Sequence, residues 1–412
     1  MSAVDIAYLI ALGIPATAVA GYPITMAIRA FWLRKKIIQP PMAADLPPVT
    51  LVISAHNEEV SIVDRLENAL SLEYPAGKLR ILVLNDGSSD RTSELVRRYA
   101  DRGVVLRETG VNRGKSAALS EAVPTLDTEI AIFTDANSRF DREALVRLVR
   151  WFANPRVGAV CGRLVYDQQQ ATSVDREEDR YWRWDNWIKN AESTTGDMVA
   201  GNGSILAIRT HLAEPIPAWL ANDFAWLNIA RLRGFKVCFD PTAVAFEKAA
   251  PNIAGEFNRR VRIMTRGLNA VAHAFHYYGA LAPTERAPLG EAVFFFAQLI
   301  AKKLFRYLAF PALLVAMALT PFLTPVLLLA VGWAIWGLFV LAILAGLLQP
   351  TMARVLPRWP NTLYPLAMAS ASLVALGHFV RGRRISTWRT HRQVAAPNRP
   401  AVLPMGSIGR PV

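Results

Sequence analysis

The chain has 412 residues, 52% hydrophobic and only 19% charged, and a formal net charge of +13. The basic excess sits beside apolar runs, at Arg34, Lys35, Lys36 and at Arg381, Arg383, Arg384, which reads as anchoring at an anionic membrane surface; no nucleic-acid motif accompanies it. The two cysteines, Cys161 and Cys238, lack metal-ligand spacing and read as buried free thiols of a reducing compartment.

Taken in order, residues 1–33 read as a transmembrane anchor. Ile6 to Ile28 is apolar and long enough to cross a bilayer, and the positive charges follow it. That order predicts an uncleaved anchor with its N-terminus outside and Arg34 to Lys36 in the cytoplasm. Residues 34–48, with Pro40, Pro41, Pro47 and Pro48, form a stiff linker.

A domain is predicted over 49–275. Val49 to Ala55 is nearly all apolar, as in a strand buried on both faces. A helix with Val60, Val63, Leu66 and Leu70 on one side follows. Further strands are expected at Arg80–Leu84, Val104–Leu106, Glu129–Phe133, Val157–Cys161 and Ser204–Ile208. Helices are expected at Thr92–Tyr99, after Asn112, at Arg142–Phe152 and in the Trp-rich stretch Asp175–Lys189. Alternation of this kind predicts an α/β fold with a mainly parallel sheet, whose ligands gather at the carboxyl ends of the strands. Polar clusters stand there: His56–Glu59, Asn85–Asp90 and Asp135–Arg139.

Glu256 to Ala270 is a basic helix with Arg259, Arg262 and Arg266 on one face, suited to an anion or to a membrane surface. Residues 276–306 read as an interfacial segment with Lys302, Lys303 and Arg306, followed by membrane helices in 307–380 and a basic tail over 381–412. Three spans after an inside domain would put that tail outside, against the positive-inside rule, so one apolar segment is expected to break the count.

Singly, the polar residues have plain readings. Asp86-Gly87 and Asp135–Ser138 suit turns, Asn57 and Glu58 a helix cap, Gly114-Lys115 a helix start, and Asp223 a first-turn acid. Their order is more specific: N-E-E at 57–59, N-D-G-S-S-D at 85–90, R-G-K-S-A-A-L at 113–119, T-D-A-N-S-R at 134–139, G-N-G-S at 201–204, N-D at 222–223, then R-R-V-R at 259–262. With this set the chain resembles the family 2 glycosyltransferases of the GT-A fold, in particular the membrane-embedded branch that includes polysaccharide synthases.

The resemblance implies inverting transfer from a nucleotide sugar, a UDP-sugar by preference, to a lipid-linked or polysaccharide acceptor. It implies an inner-membrane protein with a cytoplasmic catalytic domain, lipid contacts and polysaccharide-export partners. By position in the motifs, Asp86, Asn57 and Glu58 correspond to residues at the nucleoside, Lys115 to one near the diphosphate, and Asp223 to the catalytic base. Asp135 corresponds to the first acid of D-x-D, at the nucleotide and its Mg²⁺ or Mn²⁺. Asn137 takes the place of the second acid, which predicts weaker metal binding. Arg259 and Arg262 fall in the segment matching Q-x-x-R-W near the acceptor or diphosphate, but Gln and Trp are replaced by Arg259 and Ile263. Loss of that stacking Trp favours addition of one or a few sugars over processive synthesis. A processive synthase and a non-catalytic membrane scaffold are the rival readings.

Overall fold

The computed structural model describes residues 1–33, 45–167, 173–248, 253–355 and 362–386. Arg34 to Lys36 and most of the linker and of the basic tail lie outside the described residues. The domain is an eight-stranded sheet in the order β3-β2-β1-β4-β7-β6-β8-β5. Its first four strands are β1 (Val49–Ala55), β2 (Leu79–Asp86), β3 (Val104–Thr109) and β4 (Ile130–Asp135), all parallel. Then β5 (Arg139–Phe140), β6 (Val157–Asp167), β7 (Leu206–Arg209) and β8 (Lys236–Lys248) complete a mixed half, with β7 antiparallel to both β4 and β6. Parallel pairing is confined to the strands joined by helical crossovers, plus the β6–β8 pair.

Side chains alternate across the sheet and both faces are covered, which is why the strands read as continuous apolar runs. Leu51, Ile53, Val83, Ile130 and Ile132 pack under α3 (Ile62–Leu70) and α6 (Ala144–Val149). Val52, Leu84, Ala131 and Phe133 face α5 (Lys115–Ala122) and α8 (Asn222–Leu232). The short α4 (Thr92–Arg97) follows the β2 loop. One detail differs from expectation. Val60 is exposed, because α3 starts only after the Glu58 carbonyl accepts from Ser61 and Ile62. The buried stripe is therefore Ile62, Arg65, Leu66 and Ala69.

The Trp-rich segment is α7 (Ser173–Ser193), and the basic helix is α9 (Ile253–Ala280), longer at both ends than its charge pattern indicates. Helices α1 (Ala3–Ala16) and α2 (Tyr22–Leu33), joined by a π-turn at Thr17–Gly21, make one apolar stretch. Of the segment expected at the interface, residues 289–306 lie in a continuous helix. Here α10 (Leu289–Leu299) passes through a π-turn at Ile300–Leu304 into α11 (Phe305–Leu319). Among the described residues three stretches are long and apolar enough to cross a membrane: Ala3–Leu33, Leu289–Phe322 and Val326–Leu348, the last within α12 (Val326–Val355). Asp5 ties the far end of α1 to the α11–α12 turn, its carboxylate accepting from Thr324 N at 3.1 Å and Oγ1 at 2.9 Å. Finally α13 (Leu363–Val380), shorter and apolar, packs along α9, and Arg384 beyond it lies 4.7 Å from the Trp219 ring of the domain.

Buried ion pairs join the domain to these helices. Asp197 meets Arg231 at 2.7 Å and Arg29 of α2 at 2.8 Å. Glu192 meets Lys302 of the π-turn at 2.7 Å and accepts from the Tyr22 hydroxyl. Asp185 meets Lys189 at 2.9 Å and Arg306 of α11 at 3.2 Å. Burial disfavours the charged form of Asp197, but Arg231, the Thr195 hydroxyl and Arg29 outweigh it and hold its carboxyl below the usual range. Removing one partner of such a pair strands the other, at about 3–5 kcal/mol. Asp197→Asn is therefore expected to lower the thermal midpoint by several degrees in detergent. Because the folded pKa is depressed, the wild-type advantage is full above about pH 4 and shrinks as pH falls below it, which melting curves across pH will check.

Candidate active site

The carboxyl ends of β1, β2 and β4 lie side by side, with Ser54 opposite Asp135 and Ala55 opposite Asn85. Their loops form one rim. Asn57, at φ 53°, is held in the left-handed region by its backbone N–H on Ser88 Oγ (2.8 Å) and its side-chain carbonyl on Ser89 N (2.8 Å). Glu58 is buried; its backbone N–H donates to Thr92 Oγ1, and its carboxylate accepts from Ser61.

Asp86, expected at a nucleoside, is only 1% exposed. Its carboxylate accepts from the backbone N–H of Arg113 (3.0 Å) and Gly114 (2.7 Å) and from Thr109 Oγ1 (3.0 Å). Gly87 follows at φ 62°, where any Cβ would strike the backbone of Val111 and Asn112. Asp86 thus braces the loop before α5, whose N-cap Gly114 adopts φ 93° and delivers Lys115 into the rim.

Lys115 Nζ donates to Asp135 Oδ1 at 2.5 Å and to the Gly203 carbonyl at 3.2 Å. On Gly203 a Cβ would stand 3.5 Å from both Asp223 Oδ2 and Lys115 Nζ, so both charged groups converge on this glycine. Asp223 occupies the first turn of α8, and among the described residues its carboxylate makes no hydrogen bond or ion pair. The structure therefore gathers Lys115, Asp135 and Asp223, which are far apart in sequence, around Gly203. Its loop is fixed by Asn202, whose side-chain carbonyl accepts from buried Lys189 at 2.9 Å.

The α9 arginines divide. Arg259 and Arg260 both clasp Glu256, at 2.6 and 3.0 Å. Arg262 has no ion-pair partner among the described residues; burial and then Arg259 lower its pKa, and the Asp135 charge opposes this. Arg266 donates to Ser116 Oγ at 2.8 Å and to the Leu220 carbonyl, and burial brings its guanidinium down to about 10. Glu247, on β8, is a residue the motifs do not mark. Ser138 Oγ donates to it at 2.5 Å, and burial, then the nearby Asp135 charge, push its carboxyl up. An acid closing an apolar strand, in V-A-F-E at 244–247, was the available signal.

Chemically, the rim offers cations for an anion and one unengaged carboxylate for a proton. Among the described residues no three His, Cys, Asp or Glu side chains cluster around a metal position. Asp135 with the Asn137 amide would suit a hard divalent cation that takes its remaining ligands from phosphate and water.

The family described as Glycosyl transferase family 2 matches residues 50–213. The poly-beta-1,6-N-acetyl-D-glucosamine synthase of Staphylococcus aureus (strain COL) is 24% identical over 263 residues, 62% of each chain. The beta-monoglucosyldiacylglycerol synthase of Synechocystis sp. is 25% identical over 307 residues, 71% of this chain and 62% of the relative. The match thus spans about 62% of the length of these curated relatives. Among solved structures, a mannosyltransferase from Pyrobaculum calidifontis in complex with GDP-Man and Mn²⁺ superposes with a TM-score of 0.67 at 24% identity, covering 92% of this chain and all of that one. Residues 50–213 form a glycosyl transferase family 2 domain on a GT-A fold, set among apolar helices of membrane length.

Proposed function

We propose that the chain is an inverting membrane glycosyltransferase moving a sugar from a nucleotide sugar, a UDP-sugar by preference, to a lipid-linked or polysaccharide acceptor of the cell envelope. The observation that carries this is the unpaired Asp223 carboxylate beside Gly203, where Lys115, itself bonded to Asp135, also converges. Asp223 takes the proton of the acceptor hydroxyl as that oxygen bonds to the anomeric carbon. The bond from this carbon to the diphosphate oxygen breaks on the opposite side, with inversion. Lys115 and Arg262 stabilise the charge on the departing diphosphate. Mg²⁺ or Mn²⁺ at Asp135 and Asn137 would supply further neutralisation of that charge. Asn57 and Glu58 line the nucleoside end of the rim, and Asp86 acts there by bracing the loop that carries Lys115.

The topology that fits crosses the membrane with Ala3–Leu33, Leu289–Phe322 and Val326–Leu348, and leaves α13 against the domain. The Arg384–Trp219 contact supports this, since it keeps Arg381 to Arg384 on the domain's side. The positive-inside rule then makes that side cytoplasmic, and the count of spans no longer conflicts with the tail. Exposed Ile263, where processive synthases carry Trp, supports short additions; chains of many sugars in the product would favour the processive reading instead.

Purified protein is expected to release nucleoside diphosphate from one member of a nucleotide-sugar panel in the presence of divalent metal and native lipid. Asp223→Asn should lower transfer by about 10²–10⁴ while nucleotide affinity stays within a few fold; full transfer would remove Asp223 from the role of base. Lys115→Met should lower kcat by about 10²–10³. Asn137→Asp should shift the metal titration to lower concentration, and an unmoved curve would place Asn137 outside the metal's reach.

A further inference from the structure

The unneutralised cations on the membrane side of Asp223 carry an inference about the acceptor. Lys303 sits in the π-turn of the helix that runs from Leu289 to Phe322, a turn type frequent at functional sites. Its Nζ lies 5.3 Å from the ring of Phe224, the residue after Asp223. Among the described residues it forms no ion pair. Three acids lie within its electrostatic reach: Asp185, Asp223 and Glu192. Asp185 is taken by Lys189 and Arg306, and Glu192 by Lys302 and Tyr22. Only Asp223 is left to balance Lys303.

Asp223 must also balance Arg266. That guanidinium donates to Ser116 Oγ and to main-chain carbonyls, which satisfy hydrogens without cancelling charge, and its buried Nε has no partner. Tyr307, one turn beyond Lys303, closes the same corner. Its ring lies against Gly267 of α9, where a methyl group would overlap it, and it too lies within reach of Asp223. Two cations thus share one carboxylate. When that carboxylate takes the proton of the acceptor it becomes neutral, and both cations are left without a counter-charge at the depth of the membrane helices. Such a state is costly unless an anion is present. Lys115 and Arg262 are the cations proposed above for the donor diphosphate, and they are bonded to or influenced by Asp135.

We infer that the acceptor itself is anionic: a lipid carrying a phosphate or diphosphate close to the attacked hydroxyl, with Lys303 as its binding residue. This rests on the transferase reading above. It differs from a diacylglycerol or neutral glycolipid acceptor, for which Lys303 has no use. The acceptor's phosphate replaces the charge that Asp223 loses.

The test uses full-length protein in neutral detergent with labelled nucleotide sugar. Lipids extracted from the host membrane are split by anion exchange into neutral and acidic pools. Label is expected in products of the acidic pool, at least tenfold above the neutral pool. Equal or greater labelling of the neutral pool overturns the inference. So does labelling of neutral lipids that appears on adding inorganic phosphate, which would make the anion a free one. Lys303→Met should raise the KM for the acidic pool at least tenfold while kcat at saturation falls less than threefold, and Lys303→Arg should stay within threefold of wild type. A change in donor KM or in kcat alone overturns the role of Lys303. If Lys303→Met does not fold, the wild-type comparison of pools still decides the acceptor's charge. Absence of diphosphate release from every nucleotide sugar, with or without lipid, is a separate result and sinks the transferase reading on which the inference stands.

Discussion

The Asp185–Lys189 pair is the contact through which membrane helices and catalytic rim share one frame. Lys189 is buried and serves two partners, Asp185 at 2.9 Å and the Asn202 side chain at 2.9 Å. Asp185 in turn holds Arg306 of α11, and Asn202 precedes Gly203, whose carbonyl receives Lys115. The chain of contacts runs from a membrane helix to Asp135 with each link within hydrogen-bond reach. Burial penalises the charged form of Lys189, yet Asp185 keeps its pKa above the ordinary value. Removing either charge would leave the other in a low-dielectric interior, so the two are held together.

Charge explains why the site holds its shape before any ligand arrives. Asp86 is braced by three donors, Lys115 is held by Asp135, and Glu256 gathers Arg259 and Arg260. What remains unpaired is therefore informative. Asp223, Arg262 and Lys303 lack ion-pair partners among the described residues, and Arg266 has only neutral ones. Three of these unpaired charges are the ones the proposed reaction uses, and a bound anion would supply the missing counter-charge.

Much of this was legible in the chain. The apolar run at Val49–Ala55 could only be a strand covered on both faces, and the polar clusters had to emerge at the ends of such strands. The spacing of Arg259, Arg262 and Arg266 put them on one helix face. Other features were not legible, for physical reasons. Val60 belonged to the hydrophobic period but preceded the point where Glu58 starts the helix. Asp86 reads as a ligand; in the fold its carboxylate also accepts from a loop near residue 113, and sequence does not say which backbone will lie beside a carboxylate. The basic cluster Lys302–Arg306 read as side chains snorkelling from an interfacial segment, and sequence does not say that Lys302 meets Glu192 and Arg306 meets Asp185.

By itself the sequence determined the α/β alternation, the apolar flanks and the order of chemistry-bearing motifs, because periodicity and composition act over a few neighbouring residues. Tertiary structure alone decided which charges meet. It brought Lys115 and Asp223 to Gly203, spent Arg259 on Glu256, left Lys303 without an ion pair among the described residues beside Phe224, and laid Arg384 on Trp219. Ion pairing depends on distance in space and on burial, and neither is encoded in the spacing of residues along the chain.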